Sequence, residues 1–351
     1  MKNHISLFIF AIALLSGPVS ANDLSMTAVK DTLASIPGEH NYIYVRTPLG
    51  EDEEKNYDEI TFYDGLGREL DFAQSYGADR AGAIMAHHHL IEYDSLGRKE
   101  KQWLSTNTSF SYMSPEDLKG GVLWDYHDAG KRSYLQTNYE SSPLNRITEQ
   151  YGVGDAWGDH PARMEYLTNI PADSLRCSFY FIDDNDSLIR RGDYRSGELQ
   201  VTKATDEDGK PTYTFVDKQG RTLLTRLGRG NQQADTYFVF DRFGRIRYVL
   251  PPMINDEISA GNLDLYAYQY LYDSFGRCIS KKLPGCAAIG YVYDKADRVI
   301  LSQNGNQSQK KEWTFTFYDN QGRLALTGLC SFNDPPSLDN SIVRAYRTTS
   351  E

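Results

Sequence analysis

The chain has 351 residues, with 37 Lys and Arg against 48 Asp and Glu and a formal net charge of −11. A net negative surface repels phosphate backbones, which disfavours nucleic-acid binding. A hydrophobic fraction of 40% supplies a core and argues against wholesale disorder. The four cysteines, Cys177, Cys278, Cys286 and Cys330, have no Cys-x-x-Cys spacing. They make neither a disulfide scaffold nor a zinc site. One count is out of range: 25 tyrosines, a residue that favours strands.

In chain order, residues 1–21 read as a secretory signal peptide. Lys2 precedes a mostly apolar run from Ile5 to Leu15, and Val19-Ser20-Ala21 places small residues at a cleavage site. The run is too short for a membrane anchor. Removing it takes away Lys2 and no acid, so the formal charge moves from −11 to −12. The expected location is therefore the periplasm, the cell surface or the medium. Residues 22–40 form a polar lead-in with a short helix expected over 26–33. Residues 41–46 and 59–63 read as strands joined by the acidic run Glu51-Asp52-Glu53-Glu54. That run reads as a solvated hairpin tip, in preference to a cation site. Residues 74–82 read as a small-residue loop, and 104–121, rich in Ser and Thr, as a loop over a sheet. Residues 146–157 are Gly-containing and aromatic, and 169–173 mark a turn. The domain organisation expected is an N-terminal β domain over 41–200, a repeat region over 201–330, and a linker or frayed tail over 331–351.

The tyrosines belong to an internal repeat. An aromatic or Val is followed by Asp, two variable residues, Gly and Arg. The copies place Asp64, Gly67 and Arg68; Asp94, Gly97 and Arg98; Asp217, Gly220 and Arg221; and Asp241, Gly244 and Arg245. They continue with Asp273, Gly276 and Arg277; Asp294 and Arg298, where Asp297 replaces Gly; and Asp319, Gly322 and Arg323. Tyr126-His127-Asp128-Ala129-Gly130-Lys131 reads as a degenerate eighth copy. From Arg221 onward the arginines are 24, 32, 21 and 25 residues apart.

Asp at the first position of a type I turn bonds backbone N–H groups ahead of it. Gly three residues later supplies the positive φ of a G1 bulge. Alternating segments upstream (237–240, 268–272, 291–293, 313–318) and downstream (245–249, 323–326) read as paired strands. Each unit is a β-hairpin that cannot bury its own apolar face, so the units stack. The fold class expected is all-β, with antiparallel hairpin repeats stacked into a curved, open sheet or partial shell. The recurrent Arg reads as structural, pairing with the turn Asp or a neighbouring acid and stacking on a Tyr ring. A ligand-binding role fits less well, because the residue recurs at every turn.

Tyr-Asp-x-x-Gly-Arg at such intervals resembles the Rhs/YD-repeat family, most strongly between Asp241 and Arg323. Asn41-Tyr42-Ile43-Tyr44-Val45-Arg46 and Tyr139-Glu140-Ser141-Ser142-Pro143-Leu144-Asn145-Arg146 resemble the opening of Bacteroides-type Rhs proteins. That opening is a domain of unknown function ahead of the repeats. The resemblance implies a β-strip that spirals into a hollow shell around a C-terminal toxin or cargo. The chain departs from it in two ways. Asp334-Pro335 is followed by Pro336-Ser337, not by the Asp-Pro-x-Gly pattern of the family's core segment. No cargo domain follows either. Self-cleavage is not carried over, and the chain reads as a front portion, truncated or standing alone.

Catalytic patterns are missing. There is no Gly-x-Ser-x-Gly, no His-Glu-x-x-His and no phosphate-cradling Gly loop. His87-His88-His89 lead into a strand, where only His87 and His89 share a face, so a metal site is disfavoured. Asp183-Asp184-Asn185-Asp186-Ser187 and Asp206-Glu207-Asp208-Gly209 read as turns and not as calcium loops. Cys177 reads as a packing residue. The expectation is a non-enzymatic, exported scaffold with no cofactor. Its partner is a downstream Rhs segment, a cargo chain, or a second copy paired through exposed edge strands. The alternative is a carbohydrate or cell-surface binding module using Tyr-rich sheet faces.

Overall fold

The computed structural model describes residues 40–48, 56–78, 84–127, 130–228, 233–254 and 257–331. The signal segment, the lead-in to residue 39 with its expected helix, the acidic run at 51–54 and the tail beyond 331 lie outside the described residues. The chain divides into two compact units. The first holds the described residues up to Met164 together with Asp206–Gly209. The second holds Glu165–Thr205 and the residues from Lys210 onward.

In the first unit β1 (Asn41–Pro48), β2 (Asn56–Tyr63), β3 (Glu69–Ala78) and β4 (Ile84–Tyr93) pair antiparallel in chain order. β4 then forks. Its C-terminal half pairs with β5 (Lys99–Trp103) and its N-terminal half with β6 (Thr106–Ser109). β5 leads on to β7 (Tyr134–Tyr139), β8 (Ile147–Tyr151) and β9 (Ala162–Thr168).

Alternation decides which side chains go inside. Asp58, Ile60 and Phe62 of β2 are buried, as are Ala86, His88 and Leu90 of β4. Ile60, Phe62, Ala73, Ala86 and Phe110 form one core cluster. Burying one such large side chain contributes about 1.5–3 kcal/mol. The loop expected over 104–121 is corrected here, as is the 74–78 part of the loop expected over 74–82, whose residues 79–82 lie outside the described residues. β3 runs through to Ala78, and the Ser/Thr-rich stretch holds β6 and the helix α1 (Pro115–Asp125). Ser114 caps α1 by accepting from the Asp117 N–H, and Pro115 occupies its first position. Leu118 and Val122, one turn apart, are the buried residues of α1.

In the second unit β10 (Ser178–Ile182) and β11 (Leu188–Asp193) form a separate hairpin. β12 (Gln200–Thr205), β13 (Pro211–Val216), β14 (Thr222–Leu227) and β15 (Ala234–Phe240) start a continuous antiparallel run. It continues through β16 (Ile246–Leu250), β17 (Tyr268–Tyr272), β18 (Cys278–Lys282) and β19 (Ile289–Tyr293). It ends with β20 (Val299–Gln303), β21 (Glu312–Tyr318) and β22 (Leu324–Ser331). Two short helices, α2 (Ala260–Tyr266) and α3 (Gly305–Lys310), lie in connections between hairpins. The core gathers Val201, Tyr213, Phe215, Leu224, Tyr237, Val239 and Leu250, with Val292, Leu301 and Trp313 as a satellite cluster. Arg226 is buried among them. Its guanidinium bonds both oxygens of Asp235, at 2.7 and 2.6 Å, and the carbonyls of Ser174 and Arg176. The architecture is all-β, built from stacked antiparallel hairpins in open sheets.

Candidate functional site

The seven repeat turns share one geometry. The Asp N–H donates to the Arg carbonyl at 2.9–3.0 Å, and the Asp carbonyl accepts from the third residue after it. Asp Oδ1 accepts two further backbone N–H groups, as Asp241 does from Phe243 and Arg245. Asp Oδ2 accepts the Arg Nε at 2.7 Å in Asp64–Arg68, Asp94–Arg98, Asp217–Arg221 and Asp241–Arg245. Asp273–Arg277 and Asp319–Arg323 repeat that 2.7 Å contact, and Asp294–Arg298 makes it at 2.8 Å. The pairing register shifts at each of these hairpins, as at Val239/Phe240, the mark of a bulge. Gly67, Gly97, Gly220, Gly244, Gly276 and Gly322 have φ between 77 and 85°. Asp297 takes the same position at φ 59° and accepts Arg277 Nη1 at 2.9 Å.

These bonds hold the turn carboxyls below the usual range. For Asp64 the Arg68 backbone N–H is the main cause, opposed by burial and reinforced by the Arg68 side chain. For Asp241 burial pulls upward, and the Arg245 backbone N–H and side chain outweigh it.

The arginine also reaches forward into the next hairpin. Arg68 lies 4.5 Å from the Tyr93 ring centre, Arg98 4.6 Å from Tyr139 and Arg221 5.1 Å from Phe240. Arg245 lies 4.8 Å from Tyr272, Arg277 5.0 Å from Tyr293 and Arg298 4.8 Å from Tyr318. Each covering tyrosine donates its hydroxyl to the carbonyl one residue after that arginine. The bonds are Tyr93 to Glu69 at 2.6 Å, Tyr139 to Lys99 at 3.1 Å and Tyr272 to Ile246 at 2.9 Å. Tyr293 to Cys278 at 2.8 Å and Tyr318 to Val299 at 3.1 Å complete the set. Arg98, Arg245 and Arg277 add a bond from Nη1 to the first carbonyl of the next turn. The repeat is thus a ladder in which six of the seven arginines are each shared by two hairpins and five tyrosines each tie one hairpin to the last.

Two further turns of the same kind escape the simple sequence pattern, and the second closes on Ser187 in place of Arg. Glu140 and Arg146 close a longer turn with Nε–Oε1 and Nη2–Oε2 contacts of 2.7 and 2.8 Å, and Asn145 takes the positive φ, 55°. Asp183 bonds the Asn185 and Ser187 N–H groups between β10 and β11, with Asp186 at φ 65°. An acid followed three or five residues later by Asp or Asn at the left-handed position is the signal that the strict Gly-Arg spacing hid; Tyr139 precedes Glu140, but Ile182 precedes Asp183. The degenerate eighth copy is a correction: Tyr126 is the C-terminal cap of α1 and does not end a strand.

The histidines part across the sheet. His88 points inward, with Nδ1 2.6 Å from Asp71 Oδ2 and Nε2 donating to the Ser109 carbonyl at 3.0 Å. At 1% and 2% exposure, His88 and Asp71 are shut off from solvent, and the second ring nitrogen is taken up by the Ser109 carbonyl. The pair ties β3, β4 and β6 together. His89 lies on the opposite face near Phe72, and burial lowers its pKa. Among the described residues no three His, Cys, Asp or Glu side chains converge. The four cysteines are free thiols, and burial pushes Cys177 up to about 12, far from a reactive thiolate. The two acidic stretches at 183–187 and 206–209 are hairpin turns. A cleft of about 240 Å³ in the second unit is lined by Phe179, Phe181, Tyr194, Arg221 and Phe240. Among the described residues no helix is long and apolar enough to cross a membrane.

The family model described as a domain of unknown function (DUF6443) matches residues 41–168. No curated protein matches the chain. The crystal structure of TcdB2-TccC3-Cdc42 is similar at a TM-score of 0.55 and 14% identity, over 84% of this chain and 14% of that one. The crystal structure of TcdB2-TccC3-TEV is similar at 0.53 and 13% identity, over 89% of this chain and 15% of that one. The chain therefore spans about one-seventh of the length of the solved chains it matches. What it shares with the TcdB2-TccC3 structures, across most of its own length, is a fold of stacked antiparallel hairpins.

Proposed function

We propose that the chain is a non-enzymatic, exported scaffold: a wall strip of a YD-repeat assembly resembling the front part of a Bacteroides-type Rhs shell, which encloses or presents a cargo polypeptide. The observation that carries this reading is the ladder. It commits the repeat's Asp, Arg and Tyr side chains to joining one hairpin to the next, which is wall-building chemistry. The likeness to much longer TcdB2-TccC3 chains supports it. The test is to co-express the full chain with the polypeptide encoded directly downstream. The expected result is one co-migrating particle in which that polypeptide resists protease. Separate migration and unprotected cleavage sink the reading, as does hydrolytic turnover in a panel of ester, glycoside and peptide substrates. N-terminal sequencing of the mature chain, expected to begin at Asn22, checks export.

A carbohydrate or cell-surface ligand is the second reading, favoured by the aromatic cleft between Phe179, Phe181 and Phe240. Glycan-array binding abolished by Phe181→Ala is its signature. The ladder weakens the version built on Tyr-rich faces, since Tyr93, Tyr139, Tyr272, Tyr293 and Tyr318 are already covered by arginines.

A further inference from the structure

The cleft in the second unit lies between two fixed walls. One is β10, whose Phe179 and Phe181 stack with ring centres 5.6 Å apart and planes 20° from parallel. The Tyr194 ring meets Phe179 edge-on at 4.9 Å. The other wall is the end of β15 and its turn, with Phe240 and Arg242. The walls are pinned at both ends. At the root the Ser178 N–H donates to the Tyr237 hydroxyl at 3.4 Å, and the Tyr180 ring meets Tyr237 edge-on at 4.9 Å. At the tip Asp186, in the β10–β11 turn, accepts with both carboxylate oxygens from the buried Arg247 guanidinium on β16. The space between the walls, about 240 Å³, exceeds the ~150 Å³ that encloses a benzene ring and suits a molecule of one or two rings.

The polar groups around the cleft set its charge. Asp241 is committed to its own turn, where it accepts the Phe243 and Arg245 N–H groups and Arg245 Nε. Arg221 is held by Asp217 through Nε and Nη2. Ser178 Oγ donates to Asp193 and accepts from Arg190. Arg242 differs from these. It is exposed, its guanidinium lies 4.9 Å from the Phe243 ring, and among the described residues no acceptor takes its N–H groups. The other repeat turns have no arginine at that position, which holds Gly65, Ser95, Lys218, Ser274, Lys295 or Asn320. The cleft therefore has a surplus positive charge beside the Phe179, Phe181 and Phe240 rings, on a chain whose net charge is −11.

We infer that this cleft binds a flat aromatic carboxylate of one or two rings, its ring laid against Phe181 and its carboxylate on the Arg242 guanidinium. Phenyl rings favour offset-stacked or edge-on aromatic partners, and a guanidinium meets a carboxylate with two parallel N–H···O bonds. A sugar fits less well. Its buried hydroxyls each need a partner, and Ser178 Oγ and the Asp241 carboxylate are already engaged. The ligand is thus of a different class from the glycan of the second reading. The inference goes beyond the scaffold reading and does not depend on it, since Tyr93, Tyr139, Tyr272, Tyr293 and Tyr318 of the ladder do not line the cleft.

The test titrates the full chain with 2-naphthoate in a calorimeter. Two further probes divide its chemistry: 2-naphthalenemethanol keeps the rings without the charge, and glucuronate keeps the carboxylate without the rings. 2-Naphthoate is expected to bind saturably, 2-naphthalenemethanol about tenfold more weakly, and glucuronate without measurable heat. Arg242→Gln is expected to weaken 2-naphthoate about tenfold and to leave 2-naphthalenemethanol unchanged. Damage to the fold would weaken both, so the second probe separates a lost charge from a lost cleft. Phe181→Ala is expected to weaken both probes while the chain keeps its circular dichroism spectrum. Absence of saturable 2-naphthoate binding overturns the inference. An Arg242→Gln effect that is absent, or equal for the two ring probes, also overturns it. Glucuronate binding as tight as that of 2-naphthoate overturns it in favour of a sugar ligand. All of these outcomes leave the scaffold reading standing, which falls instead when the chain and the downstream polypeptide migrate separately.

Discussion

Tyr272 shows what one repeat residue does. Its ring covers Arg245 and its hydroxyl donates to the Ile246 carbonyl. Those two contributions are separable by substitution. Tyr272→Phe keeps the ring and removes the hydroxyl, leaving a carbonyl without its donor. The expected cost is about 1 kcal/mol. Tyr272→Leu also removes the cation–π contact, for a further ~0.5–1 kcal/mol. Urea denaturation of both variants checks this. Equal losses in the two would show that the ring contributes nothing, and no loss in Tyr272→Phe would show that the hydroxyl bond is idle. The neighbouring positions are tuned as tightly. A Cβ on Gly97 would sit 3.0 Å from Arg68 Nη1, so that glycine answers both to its positive φ and to the previous rung.

The hairpins were readable in the sequence because their signal is local. Tyr268–Tyr272 alternates over five residues and meets its turn at Asp273, and the strand begins and ends there. α1 was not readable, because its stretch has no strong apolar period and rests on a Ser-Pro cap and two buried residues, Leu118 and Val122. Arg226 was equally hidden. Nothing in Thr225-Arg226-Leu227 announces that this arginine points inward and binds Asp235 and the carbonyls of Ser174 and Arg176. Those partners lie 9, 52 and 50 residues away in sequence, so only the packed second unit reveals them. Arg226 anchors the segment ahead of β10 to β14. Arg226→Ala leaves Asp235 and both carbonyls without their donor, and the expected loss is about 3–5 kcal/mol. Arg226→Lys keeps the charge but not the fork, and should lose part of that. A loss below ~1 kcal/mol for Arg226→Ala, measured by chemical denaturation, would contradict this account.

Across the whole molecule the rungs act together through their charge. The carboxyls of Asp64, Asp94, Asp217, Asp241, Asp273, Asp294 and Asp319 are all held below their ordinary range. A carboxyl whose pKa falls on folding binds fewer protons in the folded chain than in the unfolded one. The stability it contributes is complete above the unfolded value near ~3.9 and drains away as pH falls through the lower folded values. The denaturation midpoint should therefore stay nearly level from pH 7 to about 5 and drop steeply below about 4. Partial exposure of the turns and salt screening moderate the size of the drop, not its direction. Asp273→Asn isolates one rung of this response. The variant should be less stable than the parent at neutral pH, because Asn returns a weaker partner to Arg277. Its pH dependence should also be shallower, so that the two curves converge as the parent's Asp273 takes up its proton. A gap between the curves that stays constant down to pH ~2 would mean that the turn carboxylates do not set the acid limit of the fold.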